Sequence, residues 1–160
     1  MDKLYQRKGA VSNSHVGDKF EKEIHEFFKK MGHNLDRNFP LEIGITTKKN
    51  HKFDLGNELI IIECKNIRWT ESDKVPSAKI RSLNEAMYYF YISPKKYEKY
   101  LVVSMDYSQK RCKSLVEYYI EKYQFLIPKD VIIIDYYEKN KNCDYYRYSE
   151  DQNMHLRIVQ

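Results

Sequence analysis

Asp54, Glu63 and Lys65 are the residues of this chain whose types and spacing most directly suggest chemistry. Glu63 and Lys65 flank Cys64 at the end of the run Leu59-Ile60-Ile61-Ile62, which reads as a strand buried on both faces. Strand side chains alternate, so Glu63 and Lys65 share one face and Cys64 points to the other. A carboxylate and an ammonium at the rim of a sheet are costly unless each has a partner; a divalent cation and a phosphate would supply both. Asp54 lies in a preceding extended segment joined through the turn signal Gly56-Asn57, so the two segments read as a hairpin. A tight turn there sets Asp54 opposite Leu59, roughly 13 Å along the strand from Glu63. A shared site therefore needs a wider loop through about Asn57 to Ile60, a bulge, or splayed strands; failing that, Glu42 or Glu21 stands in for Asp54.

An acid on one strand followed by Glu63-Cys64-Lys65 on the next resembles the PD-(D/E)XK nuclease superfamily. The pattern is unique within the chain, since no other Asp or Glu is followed two residues later by Lys or Arg. Phe53 stands where the family usually has Pro. The resemblance implies a phosphodiesterase dependent on Mg2+, with Mn2+ able to substitute. It makes Asp54 and Glu63 metal ligands, adds the backbone carbonyl of Cys64, and gives Lys65 the attacking water and the charge on phosphorus. Near two carboxylates an amine stays protonated, so positioning and electrostatics suit Lys65 better than the role of free-amine base.

The elements that would position these groups follow from periodicity. Gly17 to Met31 reads as a helix with Phe20, Ile24, Phe27, Phe28 and Met31 on one face and Gly32 as its stop. Glu21 lies at the margin of that stripe. Gly17-x-x-x-Glu21 followed by Gly32-His33 is similar to the opening of Holliday-junction-resolvase-like members of the superfamily, where the helical Glu often assists metal binding; an ordinary surface Glu among Lys19, Lys22 and Glu23 is the alternative. Alternating Phe39, Leu41, Ile43 and Ile45 read as a half-buried strand within 35–47, before a loop carrying Lys48 and Lys49. These two lysines are candidate phosphate contacts or simply solvated, and His51 is a polar strand-edge residue or an additional proton carrier.

Beyond Lys65, Arg68 and Trp69 form a basic and aromatic pair suited to a phosphate and a base, or to anchoring the loop on the core. A helix from Pro76-Ser77 to before Pro94 places Lys79, Arg81 and Asn84 on the side away from its apolar stripe, either beside a bound nucleic acid or in solvent. Leu101–Met105 reads as a strand, Lys113–Tyr123 as a helix and Val131–Ile134 as a strand, with Asp106 and Asp135 just after the strands in functional roles or in the commoner turn and cap roles. The tail from Glu138 is polar and tyrosine-rich, with a weak final strand around Leu156, Ile158 and Val159.

The sum is an α/β domain with a mixed central sheet and helices on both faces. Its element order matches the αβββαβ restriction-endonuclease-like core implied by the resemblance, plus one αβ unit. With 160 residues the chain fits one domain, 17–160, behind a flexible arm over residues 1–16. Its 28 basic and 23 acidic residues leave a net charge of +5, which permits a polyanionic partner. Three widely spaced cysteines exclude a disulfide framework or zinc cage, and no segment looks like a signal peptide or membrane span, so a soluble cytoplasmic protein is expected. Three functions follow: a DNA endonuclease, working as a homodimer if it cuts both strands; an inactive relative serving as a nucleic-acid-binding or assembly module; or a domain in which Glu63 and Lys65 form only a structural ion pair.

Overall fold

The computed structural model describes residues 13–158. A helix, α1 (Asn13–Lys30), is followed by β1 (Asp36–Ile43), β2 (Lys49–Gly56) and β3 (Ile60–Lys65). Then come α2 (Ser77–Tyr91), β4 (Glu98–Ser104), the short pair β5 (Tyr107–Ser108) and β6 (Lys113–Ser114), α3 (Leu115–Tyr123), β7 (Val131–Tyr137), β8 (Asn142–Ser149) and β9 (Met154–Ile158). Seven strands form one mixed sheet in the order β1-β2-β3-β4-β7-β8-β9. The central β3, β4 and β7 run parallel, and the outer pairs are antiparallel.

The sheet separates two apolar layers. Phe20, Ile24 and Phe28 of α1 pack with Ile60, Ile62, Cys64, Val102 and Tyr136 on one face. Ile80, Leu83, Met87 and Phe90 of α2, with Leu115, Val116 and Tyr119 of α3, pack with Ile61, Leu101, Val103 and Ile133 on the other. Both faces of the parallel strands are thus covered, the reason their sequences are continuous apolar runs. α3 starts where Ser114 accepts the Glu117 N–H at 3.1 Å and Glu117 accepts the Ser114 N–H at 2.7 Å, a reciprocal cap.

Several expectations are corrected. The helix begins at Asn13, so residues 13–16 of the expected arm are helical; residues 1–12 lie outside the described residues. Met31, Ile45 and Leu59 are exposed: Met31 and Ile45 lie just past the ends of α1 and β1, and Leu59 lies in the turn before β3 begins. The polar tail holds β9, where a weak final strand was expected, and also β8, which was not: its Tyr145 and Tyr146 pack on opposite faces of the sheet, next to the edge strand β9. Among the described residues no helix is long and apolar enough to cross a membrane.

The turn between β2 and β3 also differs. It falls at Glu58-Leu59, with the Asn57 N–H bonded to the Ile60 carbonyl at 2.9 Å and the Asn57 Oδ1 accepting the backbone N–H groups of Leu59 and Ile60. Asn57 is the turn residue, acting through its side chain. Gly56 belongs to the strand, paired with Ile61, and the Phe39 ring lies so close that a Cβ on Gly56 would meet it at 2.6 Å.

Candidate active site

Moving the turn by two residues changes which side chains meet. The ladder pairs Leu55 with Ile62 and Gly56 with Ile61, so the next step of the same register sets Asp54 opposite Glu63. The ladder then stops. Leu55 packs in the α1-facing layer and Phe53 in the α2-facing layer, although residues two apart on a regular strand share a face. The alternation is broken at Asp54, and the neighbouring β1 breaks it at Asn38, which has φ +54°. In a continued ladder the Cys64 N–H would bond to the Phe53 carbonyl, two residues on from the Leu55–Ile62 pair. Instead the Cys64 N–H donates to Asp54 Oδ2 at 2.7 Å. Splayed strands and a relocated turn therefore meet the condition that a tight Gly56-Asn57 hairpin would have violated.

Glu63 is buried, at 4 % exposure, and both of its oxygens are engaged: Lys65 Nζ donates to Oε2 at 3.1 Å, and His51 Nε2 lies 2.9 Å from Oε1. Burial, and then the negative charge of Glu63, push the Asp54 carboxyl up to about 7, against the smaller opposing effects of the Cys64 N–H and Lys65. Burial alone would lower the Lys65 amine; the Glu63 and Asp54 carboxylates outweigh it and hold Lys65 above the ordinary lysine range. Two acids and one amine in so little water leave the local charge short of positive partners. The Cys64 thiol points into the α1-facing core and is pushed well up by burial, so Cys64 faces the site through its main chain only.

Glu21 hydrogen-bonds to Arg37 at 3.1 Å, with Asp18 on the same guanidinium at 2.6 Å. Its charge is felt at Asp54, which it helps to raise. Among the described residues no three His, Cys, Asp or Glu side chains form a ready-made metal cluster. Glu42, the other stand-in acid, is exposed on β1.

The proposed nucleic-acid contacts are distributed unevenly. Lys48 donates to the Gly44 carbonyl at 2.8 Å, and Lys49 is exposed at the start of β2. Lys79 and Arg81 are exposed on α2, whereas the Asn84 side-chain oxygen accepts from the Tyr119 hydroxyl at 2.9 Å and ties α2 to α3. Arg68 is exposed and holds Glu138 at 2.8 Å, lining with Lys19 and Asn66 a cleft of about 370 Å³ just beyond β3. Trp69 is a correction. It is 8 % exposed, donates its indole N–H to the Asp106 carbonyl at 3.1 Å, and carries the Arg111 guanidinium 4.9 Å from its ring. A ring covered on one side by a cation and fixed at its edge cannot stack on a base, so Trp69 anchors the loop. Sequence reading passed over Arg111, which neither motif nor periodicity marks.

No family model matches this chain, and neither a curated protein nor a solved structure matches it.

Proposed function

We propose that this chain is a divalent-metal-dependent nuclease of the PD-(D/E)XK type that hydrolyses phosphodiester bonds of DNA. The observation that carries the reading is the Asp54 carboxylate bonded to the Cys64 N–H, in register with Glu63 and beside the Glu63–Lys65 pair. Further support comes from the order of helix, three strands, helix and strand from α1 to β4, which is the order of the restriction-endonuclease-like core.

A hard divalent cation suits this donor set. Asp54 is held high by burial beside a second carboxylate, a repulsion that a cation between them would relieve. Mg2+ is commonly held by one or two carboxylates with water and substrate oxygens completing its shell, so the lack of a three-side-chain cluster does not conflict with it. Asp54 and Glu63 would hold the ion, with the Cys64 carbonyl as a main-chain donor and Glu21 available if it left Arg37. When bound, the ion supplies positive charge to the phosphate oxygens and makes nearby water more acidic. Lys65 stays protonated between the carboxylates, so it orients water and offsets charge at the reacting phosphorus. Of the candidate phosphate contacts, Arg68, Lys48, Lys49, Lys79 and Arg81 are exposed and could meet a phosphate backbone. One site cuts one strand, so a double-strand cut would pair two copies of the chain.

The closed His51–Glu63–Lys65 cluster favours a second reading, a structural ion cluster in a binding module. Incubation with Mg2+ and linear, circular, single-stranded, branched and RNA substrates separates the two. The nuclease reading expects cleavage of DNA that EDTA abolishes, with Lys65→Ala slower by about 10²–10³ while still binding DNA. No cleavage of any substrate, or equal cleavage by Lys65→Ala, overturns it.

A further inference from the structure

His51 reaches the site from β2, three residues before Asp54, and lies outside the acid and Glu-x-Lys pattern. Its Nε2 is 2.9 Å from Glu63 Oε1, while Lys65 takes the other oxygen. The imidazole is itself fixed. Its ring centre is 4.0 Å from that of Tyr89 at 31°, and Phe53 meets it edge-on at 4.6 Å and 81°. Phe53 in turn stacks on Phe90 of α2, and both are fully buried, so the imidazole is braced on its Phe53 side by the core and on the other by the half-buried Tyr89. A free glutamate samples several rotamers; a carboxylate gripped at both oxygens by held donors keeps one.

We propose that His51 is a positioning residue, which fixes the Glu63 carboxylate in the orientation in which it shares a divalent cation with Asp54. The inference rests on the metal-dependent reading above and extends the site by one residue. With Glu63 as a carboxylate, the contact requires the ring proton on Nε2, because only an Nε2–H can donate to that oxygen. Were His51 a metal ligand through Nε2, that nitrogen would need its lone pair free and could not hold Glu63 in this way.

Two measurements on the full chain test this. Side-chain ¹⁵N spectra without added metal are expected to show His51 carrying its proton on Nε2; a ring protonated on Nδ1 alone overturns the inference. Calorimetric Mn2+ titration is expected to show binding weakened by about 10- to 100-fold in His51→Ala but within about threefold of wild type in His51→Gln, whose amide N–H reaches the same oxygen. Equal, large losses in both variants would make His51 a direct ligand, and unchanged affinity in His51→Ala would leave it no positioning role; either overturns the inference while the metal-dependent reading stands. A wild type that binds no Mn2+ overturns both.

Discussion

Cys64 donates its backbone N–H to the Asp54 carboxylate at 2.7 Å, so a side chain takes the place that the Phe53 carbonyl would hold in a continued ladder. That substitution keeps the Cys64 N–H satisfied where β2 and β3 part, and it brings Asp54 to the row of Glu63. The strand break and the charge cluster are one feature.

Asp54 is expected to trade stability for function. Its carboxyl titrates near 7 in the folded chain and at the ordinary 3.8 when unfolded, so ionising it in the metal-free fold is unfavourable. Asp54→Asn should therefore melt higher than wild type at about pH 8 in EDTA, by about 1–2 kcal/mol, with the gain shrinking towards pH 4. Saturating Mg2+ should raise the melting temperature of wild type and leave that of Asp54→Asn unchanged. Thermal denaturation with and without Mg2+ reads both; a variant less stable than wild type at every pH contradicts the assignment.

Asp135 offers the same test away from the site. It is fully buried on β7, and burial is the main cause that pushes its carboxyl up to about 7, against the smaller opposing effect of the Ser114 side chain. An acid raised on folding leaves stability intact below its unfolded value of 3.8 and erodes it as pH rises towards 7, above which the loss is constant. Asp135→Asn should flatten that slope and be the more stable protein at neutral pH, by on the order of 1–2 kcal/mol. Urea melts between about pH 4 and 8 measure it; an unaltered slope would mean that Asp135 is ionised in the fold.

Gly56 on β2 sits between Phe39 of β1 and Ile60 of β3. A Cβ there meets the Phe39 ring at 2.6 Å and the Ile60 carbonyl at 3.0 Å. Gly56→Ala should cost about 1–3 kcal/mol by overpacking, and Phe39→Leu in the same chain should recover part of it. Denaturant titration of the two single variants and the double reads the coupling; additive losses would show that Phe39 is not what excludes the methyl.

Trp69 should matter for folding and not for nucleic acid. Trp69→Phe removes the indole N–H that the Asp106 carbonyl accepts and should cost about 1 kcal/mol, whereas DNA affinity stays within about twofold. Arg68→Ala, on the exposed neighbour, should weaken DNA binding and lower its salt dependence. Fluorescence polarisation at two salt concentrations distinguishes them, and a large affinity loss in Trp69→Phe would contradict the anchoring role.

The sequence was most legible where apolar runs were long. Ile60–Ile62, Leu101–Val103 and Val131–Ile134 read directly as buried parallel strands, and the stripe of Phe20, Ile24 and Phe28 as the packed face of a helix. β8 was not legible, because Tyr145 and Tyr146 bury their rings among Asp144, Arg147 and other polar residues, and composition masks the pattern. The motif could be read, but not the way its parts meet: Gly56-Asn57 resembles a turn signal, yet the Phe39 ring claims the glycine and the Asn57 side chain closes a turn that lies two residues later. Nor does any local pattern announce that alternation fails at Asp54, since that depends on Asn38 across the strand. His51 was visible as a residue but not as a partner of Glu63, twelve positions away.

The central claim is that Asp54 and Glu63 converge on one divalent cation. Calorimetric titration of the metal-free chain with Mn2+, repeated on Asp54→Asn and Glu63→Gln, tests it most directly. One saturable site in the wild type, weakened by about 100-fold or more in each variant, is the expected result. Wild-type affinity in either variant, or no binding by the wild type, would contradict it.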